Sequence, residues 1–196
     1  YVIFGSYEQD NDTSNGKEAI EWLVLDVEKE RVLVVSRYAL VFQKYQDPQK
    51  GTTWETCTLR KWLNGTFFAE AFDSESQKMI VKSAVKAEKN PYGTKVVDPG
   101  NDTEDKVFLL SVKEVEKYFT SEEARRCIPT AYSIAASNLG NNYGEGKKTT
   151  CNWWLRSPGN NYATLVAVVN EKGLFFTNGS GYLDAVRPAM WIRLEP

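Results

Sequence analysis

At 196 residues, 42% hydrophobic and 13% aromatic, the chain is long enough to bury roughly 70% of its unfolded surface around a sizeable core. A formal charge of −2 gives no electrostatic case for a nucleic-acid partner, and no stretch approaches the ~20 apolar residues of a membrane helix. Histidine is absent, which excludes Ser-His-Asp and Cys-His nucleophiles, HExxH zinc sites and facial iron triads, and leaves any enzyme to carboxylates, Lys, Tyr or Cys.

Tyr1 in place of an initiator methionine predicts a processed or truncated form, with any signal peptide or anchor upstream. Residues 1–7 form a short β-rich run. Residues 19–25 and 31–36, separated by the charged 26–30, predict a largely buried hairpin. Residues 47–53 are turn-like. Across 56–64, Leu59, Trp62 and Leu63 fall at i, i+3 and i+4, which predicts an amphipathic helix ended by Asn64-Gly65. Phe67, Phe68, Ala71 and Phe72 continue the apolar stripe into the core. Ser74-Glu75-Ser76-Gln77 has capping-box spacing before another short helix.

From 86 to 105 the chain is polar and broken by Pro91, Gly93, Pro99 and Gly100, which predicts a long surface excursion. Residues 106–110 predict a strand leading into a second box, Ser111-x-x-Glu114, and a helix to Phe119. A third box, Thr120-x-x-Glu123, opens the next turn. Residues 130–139 are weakly helical and 140–148 form a glycine- and asparagine-rich loop. Strands return at 152–157, 162–169, 173–177 and 185–194, with Lys172-Gly173 and Asn178-Gly179 as hairpin turns. Strands, then helices, then strands predict one α+β domain over 1–196 with antiparallel sheets, flanking short helices and adjacent N- and C-terminal strands.

Cys57, Cys127 and Cys151 are too far apart for a CxxC motif and read as small apolar core residues, with or without one bridged pair. An odd count leaves at least one free thiol in the monomer.

Two cassettes dominate the C-terminal part: Trp153-Trp154-Leu155-Arg156-Ser157-Pro158-Gly159 and Val186-Arg187-Pro188-Ala189-Met190-Trp191. In each, an arginine costly to bury alone sits among residues that bury readily, so each guanidinium needs an acidic or carbonyl partner. Glu21, which interrupts an apolar strand, is the candidate carboxylate. The alternative is that Arg156 and Arg187 converge on an anionic ligand.

Together with Phe4-Gly5-x-Tyr7-x-Gln9, Ile20-Glu21-Trp22-Leu23-Val24-Leu25, Leu59-Arg60-x-Trp62-Leu63-Asn64 and Val107-Phe108-Leu109-Leu110-Ser111, these cassettes resemble a family of uncharacterised bacterial domains within the C-type-lectin-like fold. The resemblance implies that fold, with the C-terminal strand close to the N-terminal one and the late loops supplying the site. The wider superfamily includes formylglycine-generating enzymes, iron-dependent sulfoxide synthases and the variable binding proteins of diversity-generating retroelements. Function does not travel with fold. Formylglycine chemistry needs two closely placed cysteines that hold copper, whereas Cys127 and Cys151 are 24 positions apart. The iron-dependent relatives need histidines, and the tripeptides of calcium-dependent sugar binding do not occur.

The loops 158–162 and 177–184 carry the candidate ligand-binding residues Asn160, Asn161, Tyr162, Asn178, Tyr182 and Asp184, joined by Trp154, Arg156 and Arg187 from the cassettes. Amides, hydroxyls and a carboxylate beside aromatic rings suit recognition; the other reading is turn residues chosen for backbone geometry. The acidic segment 98–105 has oxygen donors enough for calcium but no EF-hand spacing, and reads as a solvated loop. Asp10-Asn11-Asp12 offers fewer donors, and the 140–148 loop lacks the preceding strand of a phosphate loop. No catalytic residue, metal or cofactor is expected. The chain reads as a non-catalytic binding module displayed on or outside a bacterial cell, its ligand a carbohydrate, peptide or protein. The alternatives are a divergent formylglycine-type oxidase using a free thiol such as Cys151, and a purely structural assembly domain.

Overall fold

β-Branched residues on both sides of a short charged turn build the first sheet. In the computed structural model, which describes residues 1–139, 142–143 and 148–194, β1 (Val2–Tyr7), β2 (Glu18–Val27) and β3 (Arg31–Ser36) pair antiparallel in sequence order. Ile20 and Trp22 are buried from β2, whereas Val32, Leu33, Val34 and Val35 are all buried along β3. That continuous burial marks a strand covered on both faces. β12 (Ala189–Arg193) pairs with β3, and β5 (Ile80–Val81) closes the order β1-β2-β3-β12-β5. The N- and C-terminal strands therefore share a sheet but are not neighbours: β2 and β3 lie between them, a correction to the expected adjacency.

The second sheet runs β10 (Phe175–Gly179), β9 (Leu165–Val169), β8 (Trp153–Pro158), β11 (Leu183–Val186) and β4 (Val41–Lys44). Its pairings are antiparallel except that of β8 with β11, parallel at Trp153 and Ala185. β6 (Ser83–Val85) and β7 (Thr103–Asp105) form a separate ribbon. The expected strand 185–194 is two strands in different sheets, because Pro188 has no N–H to continue a ladder. The chain crosses between the sheets there and at residues 37–40. The Ser36 N–H donates to the Pro188 carbonyl at 2.9 Å and the Leu40 N–H to the Val186 carbonyl at 3.2 Å. Lys172-Gly173 makes the β9–β10 turn as expected, with Gly173 at φ 87°. Asn178-Gly179 is not a hairpin turn; both residues belong to β10 and pair with β9.

The helices show how side chains take over the role of a missing neighbouring strand. α1 (Thr58–Trp62) does not stop at Asn64-Gly65 but passes through a π-helical turn, Leu63–Phe67, into α2 (Phe68–Ala71). Asn64 is committed elsewhere: its Oδ1 accepts from the Lys106 and Val107 N–H groups at 2.9 and 3.2 Å, and its Nδ2 donates to the Val107 carbonyl at 2.8 Å. Residues 106–110, expected as a strand, are instead a buried segment with a single bridge, Phe108 to Ala189. Amide and guanidinium groups satisfy its backbone in place of a ladder.

Asp73, not Ser74, caps α3 (Ser74–Met79), and Ser121, not Thr120, caps α5 (Glu122–Arg125). The Ser111–Glu114 box forms on α4 (Val112–Tyr118) as expected, and Thr130 caps α6 (Ala131–Ala136). The loop expected at 140–148 lies largely outside the described residues.

The 86–105 excursion ends inside the protein. Asp105 is 2% exposed, and its carboxylate accepts from the Trp54 indole at 2.9 Å, Arg60 Nε at 2.7 Å and the Thr103 hydroxyl at 2.6 Å. A buried carboxylate with three donors anchors β7 to α1, and removing it strands those donors. Asp105→Ala is expected to lower stability by about 3 kcal/mol, read in urea as a shifted midpoint at unchanged slope. A loss of only ~0.5 kcal/mol would mean that the anchor behaves like an exposed ion pair.

Candidate functional site

Because Leu165 opens β9 opposite Gly179 at the end of β10, the connections 159–164 and 180–182 lie at the same end of the second sheet. Gly159 is required at the first of them, since a Cβ there would sit 2.4 Å from the Leu165 Cβ. The two connections are tied by the Ser180 N–H donating to the Thr164 carbonyl at 2.8 Å. Two earlier segments wall them in. The Thr52 N–H donates to the Ala163 carbonyl at 3.1 Å, the Ser180 hydroxyl to the Lys50 carbonyl at 3.1 Å, and the Lys95 N–H to the Asn160 carbonyl at 3.2 Å.

Four of the expected site residues reach this surface. Tyr162 is 61% exposed, with the Lys95 ammonium 5.7 Å from its ring centre, and Tyr182 is exposed on the neighbouring turn. Asn160 and Asn161 are half-buried; the Asn160 Oδ1 accepts from Thr177 at 3.4 Å and the Asn161 Oδ1 from the Thr94 hydroxyl.

The others turn inward. Asn178 Nδ2 donates to the Asp184 carboxylate at 2.7 Å, and Asp184 is buried. Burial raises its pKa, partly offset by hydrogen bonds from Asn178 and Asn152. Trp154 is fully buried and donates its indole N–H to the Gln43 carbonyl at 2.8 Å.

Arg156 and Arg187 do not converge on a cleft. Arg156 donates to the Lys86 carbonyl at 3.1 Å, to the Leu109 carbonyl at 2.8 Å and to both Glu114 oxygens, Nη2 to Oε1 at 2.9 Å. Arg187 donates from Nε to the Ser36 carbonyl at 2.7 Å and lies between the Trp153 and Phe119 rings, each 5.1 Å away. Glu21 serves neither. It pairs with Arg37 at the surface, because its strand position faces residue 37 and not the interior.

Two aromatic residues complete the surface that sequence reasoning missed. Tyr92, from the 86–105 excursion, stacks on Phe175 with ring centres 5.5 Å apart, and Phe176, 64% exposed, projects from the opposite face of β10. A hollow of about 80 Å³ lies among Asn90, Tyr92, Asn160, Phe175, Phe176 and Thr177. The two-residue period of a strand sends adjacent Phe175 and Phe176 to opposite faces, so one of the pair had to face outward. Nothing local foretold that Tyr92 would meet β10. A larger polar hollow, about 500 Å³, opens on the other side of Ala163 among Thr52, Thr53, Thr56, Asp98 and Asn101.

The acidic segment holds no ligand set for a cation. Asp102 pairs with Lys86, Glu104 with Lys82 and Asp105 with Arg60. Among the described residues Glu8, Asp10 and Glu18 do gather. Their oxygens accept from the N–H groups of Gln9, Asn11 and Asp12, so they brace the loop after β1.

The two glutamates separate two outcomes. Glu114→Ala should cost about 3 kcal/mol by taking from buried Arg156 its hydrogen-bonded carboxylate and leaving only Glu88 at 3.9 Å, whereas Glu21→Ala should cost at most ~0.5 kcal/mol, its pair with Arg37 being exposed. Chemical denaturation of both variants checks this; equal losses would contradict the assignment.

A search of curated proteins and a search of solved structures each find no match to this chain. A family described as Domain of unknown function (DUF6273) matches residues 29–194, from the turn before β3 through the end of β12. The mixed α+β fold described above is thus laid over a span in which only β1 and β2 fall outside the match, and the chain belongs to the DUF6273 family.

Proposed function

We propose that the chain is a non-catalytic binding module with a C-type-lectin-like arrangement, displayed on or outside a bacterial cell. Its ligand surface is the end of the second sheet where the 159–164 and 180–182 connections meet segments 50–53 and 90–95. The observation that carries this reading is the hollow in which Tyr92, stacked on Phe175, meets the half-buried amide of Asn160, with the exposed ring of Tyr162 two residues along the same connection. Ring faces beside amide edges and hydroxyls suit a neutral, hydroxyl-rich ligand, and a carbohydrate is the class that fits: its C–H face lies on a ring while its hydroxyls meet the amides. Burial of Arg156 and Arg187 speaks against an anionic ligand held by them. The oxidase reading needs a thiol that can meet a polypeptide side chain, and Cys57, Cys127 and Cys151 are all buried.

Nuclear magnetic resonance titration of the isotope-labelled chain with neutral monosaccharides and with N-acetylglucosamine, glucose and mannose oligomers tests the proposal. Saturable shifts are expected at residues 92, 160–162 and 182. Tyr162→Ala should weaken binding about tenfold, or ~1.4 kcal/mol, through loss of the ring platform. Saturation with no change on removing Tyr162, or an absence of saturable shifts at this end of the sheet with every sugar, overturns it.

A further inference from the structure

Arg187 is a buried charge that the described residues leave without a carboxylate. It is 2% exposed, its Nε donates to the Ser36 carbonyl, and its Nη1 has no hydrogen-bond partner among the described residues. The Trp153 and Phe119 rings offset part of the charge through their faces. A guanidinium cannot shed its proton to escape burial, so it favours the anionic form of any titratable group beside it.

The groups placed to do so are two thiols. Cys127 and Cys151 face each other across an antiparallel bridge, with the Cys151 N–H donating to the Cys127 carbonyl at 2.9 Å and the Cys151 thiol to the same carbonyl at 3.4 Å. A hydrogen-bonded antiparallel pair holds its Cα atoms about 5.5 Å apart, within the range that a disulfide spans without backbone movement. Both residues are 1% exposed and their sulfurs are not bonded to each other. Burial raises the Cys127 thiol, but the Cys151 hydrogen bond and the Arg187 charge outweigh it and bring the pKa below the ordinary thiol value. At Cys151 burial, the Cys127 sulfur and the Asp184 charge act together to push it up, against the pull of Arg187. Among the described residues Tyr143 is a further titratable neighbour, its own hydroxyl raised by burial.

We propose that Cys127 and Cys151 are a buried redox pair, with Arg187 as the fixed counter-charge of the Cys127 sulfur, and that a small hydroperoxide closes them to a disulfide. The Cys127 thiolate attacks the terminal peroxide oxygen and the O–O bond breaks. The sulfur is oxidised by two electrons to a sulfenic acid, while hydroxide, or the alkoxide of an organic hydroperoxide, leaves and takes a proton from solvent. The Cys151 sulfur then displaces the sulfenic oxygen, which departs as water with the Cys151 proton, and the S–S bond forms. The peroxide is thereby reduced and the two thiols oxidised. With both sulfurs 1% exposed, an oxidant of this size reaches them through local opening of the fold, and larger ones are shut out. Cys57 is the internal control: it is buried elsewhere, its thiol donating to the Trp54 carbonyl at 3.4 Å.

The test treats the full chain with hydrogen peroxide, then denatures it, alkylates free thiols and maps peptides by mass. The expected result is a loss of two hydrogens per chain, a Cys127–Cys151 linked peptide, and a thiol count falling from three to one with Cys57 still alkylated. Cys151→Ser should halt the reaction at a dimedone-reactive sulfenic acid on Cys127. Arg187→Gln should slow the oxidation roughly tenfold through loss of the counter-charge; if that variant does not fold, the wild-type map and Cys151→Ser decide the matter. Three alkylatable thiols after peroxide, first oxidation at Cys57, or a link between chains overturns the pair. An Arg187→Gln rate equal to wild type overturns the role of the arginine.

Discussion

Arg156 fixes the position of the chain segments on which the candidate surface depends. One guanidinium holds the Lys86 carbonyl at the start of the long excursion, the Leu109 carbonyl in the buried segment, and Glu114 in the first turn of α4. Glu114 also accepts from the Ser111 N–H at 2.8 Å, so a single carboxylate both neutralises the arginine and completes the helix cap. Ser111 in turn donates its hydroxyl to Glu88 at 2.7 Å. Charge-assisted hydrogen bonds are worth about 1.5–3 kcal/mol each. Their concentration on one side chain makes β8, α4 and the excursion a unit, and the ties of Asn90 to the Pro158 carbonyl and of the Tyr92 hydroxyl to Glu116 then carry Tyr92 onto Phe175.

The second arginine cassette looks similar in sequence and has the opposite chemistry. Arg156 emerges beside a helix start, where acidic residues are favoured and a carboxylate is at hand. Arg187 emerges at the crossing between the two sheets, where packing is apolar and its neighbours are Trp153, Phe119 and two thiols. Expecting an acidic or carbonyl partner for each was sound physics; which partner each obtains is set by topology. Assigning Glu21 failed for that reason, since a polar residue in an apolar strand can be turned to the surface as easily as to a buried cation.

What the sequence made legible was local. The β2–β3 hairpin, the Ser111–Glu114 box, the Gly173 turn and the helix around Leu59 all follow from patterns a few residues long. What escaped it was non-local. Asn64-Gly65 has the form of a helix end, yet Asn64 is recruited by backbone groups 42 and 43 positions away and the helix runs on through a π turn. The apolar run 106–110 has strand composition, but beyond the backbone bonds of Phe108 and Leu110 its groups are met by the Asn64 and Arg156 side chains. In the candidate site, Asn160, Asn161, Tyr162 and Tyr182 were visible because loop amides and aromatics stand out. Asn178 and Asp184 could not be told from them, because their mutual hydrogen bond turns both inward only in the folded chain.

Strand β8 links the two proposed sites. Cys151 lies just before its first residue, Trp153, and the 159–164 connection leaves from its last, Pro158. Between them Trp153, Trp154 and Leu155 are fully buried and Arg156 is clamped. Close-packed side chains of this size tolerate little displacement. A disulfide closing between residues already at bridging distance demands none. The clamp therefore insulates the loop end of the strand from its thiol end, so that the proposed ligand surface and the proposed redox pair share a scaffold without sharing a response.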